Sequence, residues 1–137
     1  MLIVRKKPPY KYIERMNQCA FVLWFKYKYP DYRRLISAYR VTATSKRKGG
    51  QAKEEGLLAG YPDIFISIPT KENHGLYIEF KAIYEDGKKG RLSAEQKLVH
   101  ADLVMMGYAV RVCYSSEEAQ RVVLEHFAKP CTPSHIG

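Results

Sequence analysis

The run Gly60-Tyr61-Pro62-Asp63-Ile64-Phe65-Ile66-Ser67-Ile68, followed by Leu76-Tyr77-Ile78-Glu79-Phe80-Lys81-Ala82-Ile83, decides the fold. Each run is short, apolar and rich in β-branched and aromatic residues, and Pro69 to Gly75 between them is polar and turn-forming. The pair therefore predicts two buried strands joined as a β-hairpin. Asp63 falls at the mouth of the first strand, and Glu79 and Lys81 interrupt the second two positions apart. Side chains alternate across a strand, so Glu79 and Lys81 project from one face, in a row that Ile83 continues.

A carboxylate and a lysine inside an apolar strand are costly to bury unless they are paired or bind something. Two acidic side chains converging on one point make a hard, oxygen-lined site suited to Mg²⁺ or Mn²⁺, ions that keep several waters and take substrate phosphates as further ligands. Such an ion acidifies an attacking water and stabilises charge on phosphoryl oxygens. Lys81 is then a compact cation that positions the water or offsets the developing charge. The chemistry these residues point to is phosphodiester hydrolysis.

Pro62-Asp63, fifteen intervening residues and then Glu79-Phe80-Lys81 resemble the Pro-Asp…Asp/Glu-x-Lys signature of the restriction-endonuclease-like nucleases. Further blocks narrow the resemblance. Gly56 to Asp63, Gly75 to Lys81, Leu92-Ser93-Ala94-Glu95-Gln96 and Gly107-Tyr108-Ala109-Val110 are together similar to the virus-type replication-repair nuclease (VRR-NUC) domain, over roughly Glu14 to Phe127. A lone Pro-Asp with a later Glu-x-Lys is a weak signal, whereas four blocks in the family's order are much stronger. The resemblance implies an α/β fold with a restriction-endonuclease-like core, a central mixed sheet flanked by helices. It implies a divalent metal held by Asp63, Glu79 and the carbonyl of Phe80, with Lys81 assisting the water. It also implies a metal-site role for Glu14 and a place near the active site for Gln96. Stand-alone members of the family resemble junction-resolving homodimers, which makes Holliday-junction or flap DNA the expected substrate.

The 137 residues suffice for one domain with a proper core and are too few for two. A single nuclease domain over 1–137 is expected, with a basic tail at 1–10 and a flexible tail at 130–137. The formal net charge is +9 and the pI near 9.5, as suits a polyanionic partner such as DNA or RNA, and a small acidic cluster within a positive surface suits a metal nuclease. Cys19, Cys113 and Cys131 are scattered and lack Cys-x-x-Cys spacing, which argues against a disulfide framework or zinc site and for a reducing cytoplasm; the family resemblance implies that of a bacterium or a phage-infected host. No apolar run approaches membrane-spanning length, so neither anchoring nor export is expected.

From about Tyr12 to Tyr29, Ile13, Met16, Ala20, Leu23, Trp24 and Tyr27 recur at three- and four-residue steps, predicting a helix that buries this stripe and stops before Pro30. Its only acidic residue, Glu14, lies four before Gln18 and, on side-chain physics alone, reads as a solvated flank. Leu35 to Val41 reads as a strand. The stretch Thr42 to Gly50 reads as a mobile basic loop, leading to a short helix over Gln51 to Leu58. Lys46, Arg47, Lys48 and Lys53 are candidates for DNA phosphate contact, against the alternative of a solubilising loop. Lys88, Lys89 and Arg91, in the connection Tyr84 to Arg91, are candidates at the rim of the active site, and two glycines there suggest flexibility.

Ser93 opens a helix expected to run to about Met106, with Leu92, Val99, Leu103 and Met106 on one face and Gly107 as its stop. Ser93 and Gln96 form a capping-box pattern, and a structural cap stands beside the active-site role as the alternative for Gln96. His100 and Asp102 read as exposed. Tyr108 to Tyr114 is a further strand. Ser115-Ser116-Glu117-Glu118 is a second capping-box pattern, opening a last helix to about Ala128 with Ala119, Val122, Val123 and Phe127 inward. His74, His126 and His135 are isolated and suggest no histidine-led or zinc chemistry. The candidate site is expected at one edge of the sheet. The competing reading of the chain is a non-catalytic basic nucleic-acid-binding module, whose binding would be salt-sensitive and metal-independent.

Overall fold

The computed structural model describes residues 10–39 and 53–131. The loop candidates Lys46, Arg47 and Lys48, and the N-terminal tail before Tyr10, lie outside the described residues. Helix α1 spans Tyr10–Lys28 and a 3₁₀ helix Pro30–Leu35. Strand β1 spans Ile36–Ala38, β2 Ile64–Ile66 and β3 Leu76–Phe80. Helix α2 spans Ala94–Met105, β4 Ala109–Cys113 and α3 Ser116–Phe127.

The four strands form one sheet in the order β1-β2-β3-β4. The first two pairings are antiparallel, with Ile64 opposite Ile78 and Phe65 opposite Tyr77. Strand β4 joins β3 in parallel, Phe80 opposite Cys113, after the crossover through α2. The predicted hairpin and the mixed sheet are both present, and the hairpin forms the two inner strands.

Every residue of β3 is buried, because both sheet faces are covered. On one face Leu76, Ile78 and Phe80 join Ile64 and Ile66 beneath α1 and α3, which supply Phe21, Phe25, Ala119, Val122 and Val123 to the same core. The Phe21 and Phe80 rings lie 5.8 Å apart. On the opposite face Tyr77 and Glu79 look toward α2. Asp63 and Phe65 share that face, since Phe65 pairs with Tyr77 and the two rings stack at 4.4 Å.

The inward face of α1 differs from the expected stripe. Phe21 and Phe25 are fully buried, while Met16, Leu23 and Tyr27 are exposed, Tyr27 at 86%. The helix carries aromatic or aliphatic residues nearly all the way round, so its periodicity does not single out one face. The choice falls to Phe21, which reaches Phe80, and Phe25, which reaches Phe127 on α3.

Helix α2 ends as expected at Gly107, whose φ of +93° suits glycine. The N–H groups of Gly107 and Tyr108 close on the carbonyls of Val104 and Leu103, which satisfies the last turn. Met106, expected inward, is exposed, and the buried residue of α2 is instead His100. At α3 the hydroxyl of Ser115 caps Glu118 N–H, but the Glu118 carboxylate accepts from Tyr114 N–H and not from the cap residue, so the second box is only half formed. His126 is buried with its ring nitrogen 2.7 Å from the Ile68 carbonyl. Beyond α3, Pro130 bridges to Thr70 and the Lys129 carbonyl accepts from Lys71 N–H, so the start of the expected C-terminal tail is held to the β2–β3 connection, while residues 132–137 lie outside the described residues.

Candidate active site

Extending the β2–β3 register by one residue sets Asp63 across from Glu79, where the two inner strands end. The site thus sits at the end of the central hairpin and not at an edge of the sheet, because β1 and β4 take both edges. Asp63 is held by the main chain: its Oδ2 accepts the N–H of Phe80 at 2.8 Å. The ring of Phe80 belongs to the core beneath α1, while its backbone lies at the carboxylates.

Glu79 is 2% exposed, and burial is the largest of the causes that push its carboxyl up to about 10. A hydrogen bond with the Asp63 side chain and the charge of Asp63 act in the same direction, Glu14 adds to them, and Lys81 opposes them. At neutral pH Glu79 therefore keeps its proton, as expected for a buried carboxyl beside a second carboxyl group. The side chain of Glu14, half-buried on α1, reaches this field as well.

Gln96 forms the cap and also touches the carboxyl pair. Its Oε1 accepts the Ser93 N–H at 2.9 Å while the Ser93 hydroxyl accepts the Gln96 N–H at 3.1 Å, a complete capping box. The other end of the same amide, Nε2, donates to Glu79 Oε1 at 2.7 Å. The helix start is pressed against the hairpin at Gly60, where a Cβ would lie 2.8 Å from the Glu95 carbonyl carbon and 2.9 Å from the Gln96 nitrogen. Gly60 also has φ +88°. Only glycine allows the chain to pass this close and then deliver Pro62-Asp63 into β2.

One turn beyond Gln96, His100 corrects the reading of an exposed residue. It is 7% exposed, with Nε2 3.8 Å from Glu79 Oε1. That separation suggests an ion pair, but desolvation, and after it the charge of Lys81, lowers the His100 pKa, while Glu79 is protonated. The contact is between two neutral groups, and Nε2 has no hydrogen-bond partner. A buried polar atom without a partner, aimed at a carboxyl pair, marks a site shaped for something more than its own side chains. Nothing in the spacing distinguishes His100 from its exposed neighbours on α2.

Next to this acidic pocket the connection after β3 exposes three cations together with Glu85 and Asp86. The connection after β3 closes into a hydrogen-bonded turn, with Tyr84 N–H on the Lys88 carbonyl at 2.8 Å and Gly90 N–H on the Ala82 carbonyl at 2.8 Å. It presents Lys88, Lys89 and Arg91, all exposed. Lys53 is exposed on a helical turn and is not among the groups that act on Glu79.

The VRR-NUC domain matches residues 4–117. The chain belongs to the VRR-NUC family. A solved structure of a VRR-NUC domain protein superposes with a TM-score of 0.74 at 22% identity, covering 92% of this chain and 93% of that one, so the fold is shared across nearly the whole length. No curated protein matches the chain. Membership carries a nuclease-type, hydrolytic function with DNA as its substrate. It also agrees with the α/β core, a mixed sheet flanked by helices. Among the described residues no helix is long and apolar enough to cross a membrane.

The VRR-NUC pocket suits a hard divalent cation by its donors: two carboxyl groups in contact, a third in the same field, and a main-chain segment at Phe80. Among the described residues no group of three His, Cys, Asp or Glu side chains is placed to hold a metal ion by itself.

Proposed function

We propose that the protein is a divalent-metal-dependent DNA endonuclease that hydrolyses phosphodiester bonds at branched DNA, a Holliday junction or a flap, and works as a homodimer in the cytoplasm of a bacterium or phage-infected host. The observation that carries this reading is the Asp63–Glu79 carboxyl pair at the end of the hairpin, with Glu79 buried under the Gln96 amide and Lys81 two residues along. Asp63, Glu79 and the Phe80 carbonyl would hold Mg²⁺ or Mn²⁺, with Glu14 as an outer member. The ion would supply an acidified water and share the charge of the phosphoryl oxygens.

The protein's own groups do the rest. Loss of the Glu79 proton leaves two anionic carboxylates, which makes cation binding proton-coupled. Gln96 keeps one oxygen of Glu79 turned inward so that the other faces the substrate. Lys81, whose charge already acts on Glu79 and His100, orients the nucleophilic water or steadies the phosphate. Lys88, Lys89 and Arg91 draw the DNA backbone to the pocket, with Lys46, Arg47, Lys48 and Lys53 as further contacts.

The test is cleavage of four-way junction, flap, splayed and linear duplex DNA with Mg²⁺ or Mn²⁺, and with chelator. Asp63→Ala and Lys81→Ala proteins that fold but do not cut are the expected result. Parental cutting by both would remove the assigned site, and salt-sensitive binding without any metal-dependent cutting would favour the non-catalytic module.

A further inference from the structure

Beside the carboxyl pocket runs a groove of about 780 Å³ lined by Tyr84, Lys88, Lys89, Gly90, Arg91, Leu92, Lys97 and Tyr114. We infer that this groove binds an unpaired stretch of the DNA substrate, with a base stacked on Tyr114 and Tyr84 and its phosphates on Lys88, Arg91 and Lys97. The inference rests on the nuclease reading and narrows its substrate to DNA with a single-stranded segment next to the cut.

Four cations and no carboxylate line the groove, so its occupant is a polyanion. The volume falls in the range that takes one small-molecule-sized unit, room for a nucleotide or two. Two tyrosines separate this groove from a plain phosphate-binding patch. Base stacking on an aromatic ring tolerates any sequence, and rings set among cations are how proteins hold single strands. The Lys89 ammonium lies over the Tyr114 ring, 4.9 Å from its centroid, so that face is turned to a mobile surface side chain and not to the core, and a base stacking there takes the place of the ammonium. The Tyr114 hydroxyl reaches the Gly90 carbonyl at 3.4 Å, which fixes the ring against the turn.

The groove adjoins the chemistry through Gly90 and the start of α2. A Cβ on Gly90 would lie 3.5 Å from the Lys81 Cβ, so the turn packs directly on the residue assigned to the water. Lys97 follows Gln96, the residue bonded to Glu79. A strand lying along the groove would therefore reach the carboxyl pair without bending back. Lys97, Tyr84 and Tyr114 do not stand out in the sequence, because only the turn after β3, the start of α2 and the end of β4 together bring them to one wall.

The experiment measures binding of the full chain to a fluorescent single strand, a splayed duplex and a blunt duplex of one sequence, in Ca²⁺ to withhold cleavage. Tyr114→Leu is expected to weaken the single strand and splayed duplex roughly five- to hundred-fold, the range for one lost base stack. Blunt-duplex binding should stay within about twofold, and Tyr114→Phe should bind like the parent. Tyr84→Leu, at the exposed rim, should show the same selective loss if Tyr114→Leu proves poorly folded. Lys97→Ala should lower the salt slope for the single strand by about one. Equal weakening of all three DNAs, or no change in any of them, would overturn the inference. Failure of the groove alone would leave Asp63-dependent cleavage intact, whereas failure of the nuclease reading would show as no metal-dependent cutting by the parent protein.

Discussion

Replacing Glu79 by glutamine should make the metal-free protein more stable, by an amount that grows with pH. The folded chain holds a proton on Glu79 because its carboxyl is buried and pressed against Asp63, whereas the unfolded chain releases that proton near pH 4.5. A folded-state pKa above the unfolded value contributes stability that is complete at low pH and is lost as pH rises toward the folded pKa near 10. The loss approaches about 1.4 kcal/mol per pH unit. Glutamine mimics the protonated carboxyl: its amide can donate to Asp63 and accept from Gln96, and it has no proton to lose. His100 and His126, both with lowered pKa, act in the opposite direction, since their contribution is lost as pH falls below the usual histidine range. The window of pH 6.5 to 8.5 avoids most of their titration.

Over that window the parent should lose on the order of 1–3 kcal/mol relative to Glu79→Gln. At this chain length that is a relative fall in Tm of several degrees. The assay is thermal unfolding of both proteins in chelator at half-unit pH steps. Added Mn²⁺ should then stabilise the parent more at pH 8.5 than at pH 6.5, because binding must expel the proton, and should stabilise the variant much less. A parent–variant difference that stays constant across the window would refute the claim that Glu79 is protonated in the folded state.

Gly60→Ala should cost roughly 2 kcal/mol or more, since it adds left-handed strain to a clash at 2.8 Å with the backbone of α2. Gly56→Ala, with φ +103° but open space around it, should cost only about 1 kcal/mol, and equal losses in denaturant titrations would argue against the close approach. Ser93→Ala removes only the cap and should lower stability by about 1 kcal/mol with cleavage retained. Gln96→Ala should in addition weaken Mn²⁺ binding about 10- to 100-fold, as expected on losing a residue that orients a metal ligand. Equal metal affinity in the two variants, measured by calorimetry, would reduce Gln96 to a helix cap.

Much of this was legible in the chain because it depends on neighbours close in sequence. The alternation in Leu76 to Lys81 predicts the strand and the shared face of Glu79 and Lys81, and the turn-forming residues between the two runs predict their pairing. Ser93 with Gln96 predicts the capping box, and Gly107 the helix stop. These features arise within one or two turns of chain, where spacing and residue type suffice.

Burial and neighbourhood across the fold were not legible in this way. Helix α1 has apolar residues on most sides, and only its contacts with Phe80 and α3 select Phe21 and Phe25 over Met16, Leu23 and Tyr27. His100 follows no pattern on α2, yet the packing of that helix over the end of the hairpin puts it beside Glu79. The second bond of Gln96 and the wall that gathers Tyr84, Lys97 and Tyr114 likewise come from distant segments. The sequence by itself determined the strands of the central hairpin and where Asp63, Glu79 and Lys81 stand along them, because local periodicity and charge placement are written in adjacent positions. The tertiary structure alone decided which groups lose their water and which meet, because desolvation and contact depend on how helices and sheet close around one another.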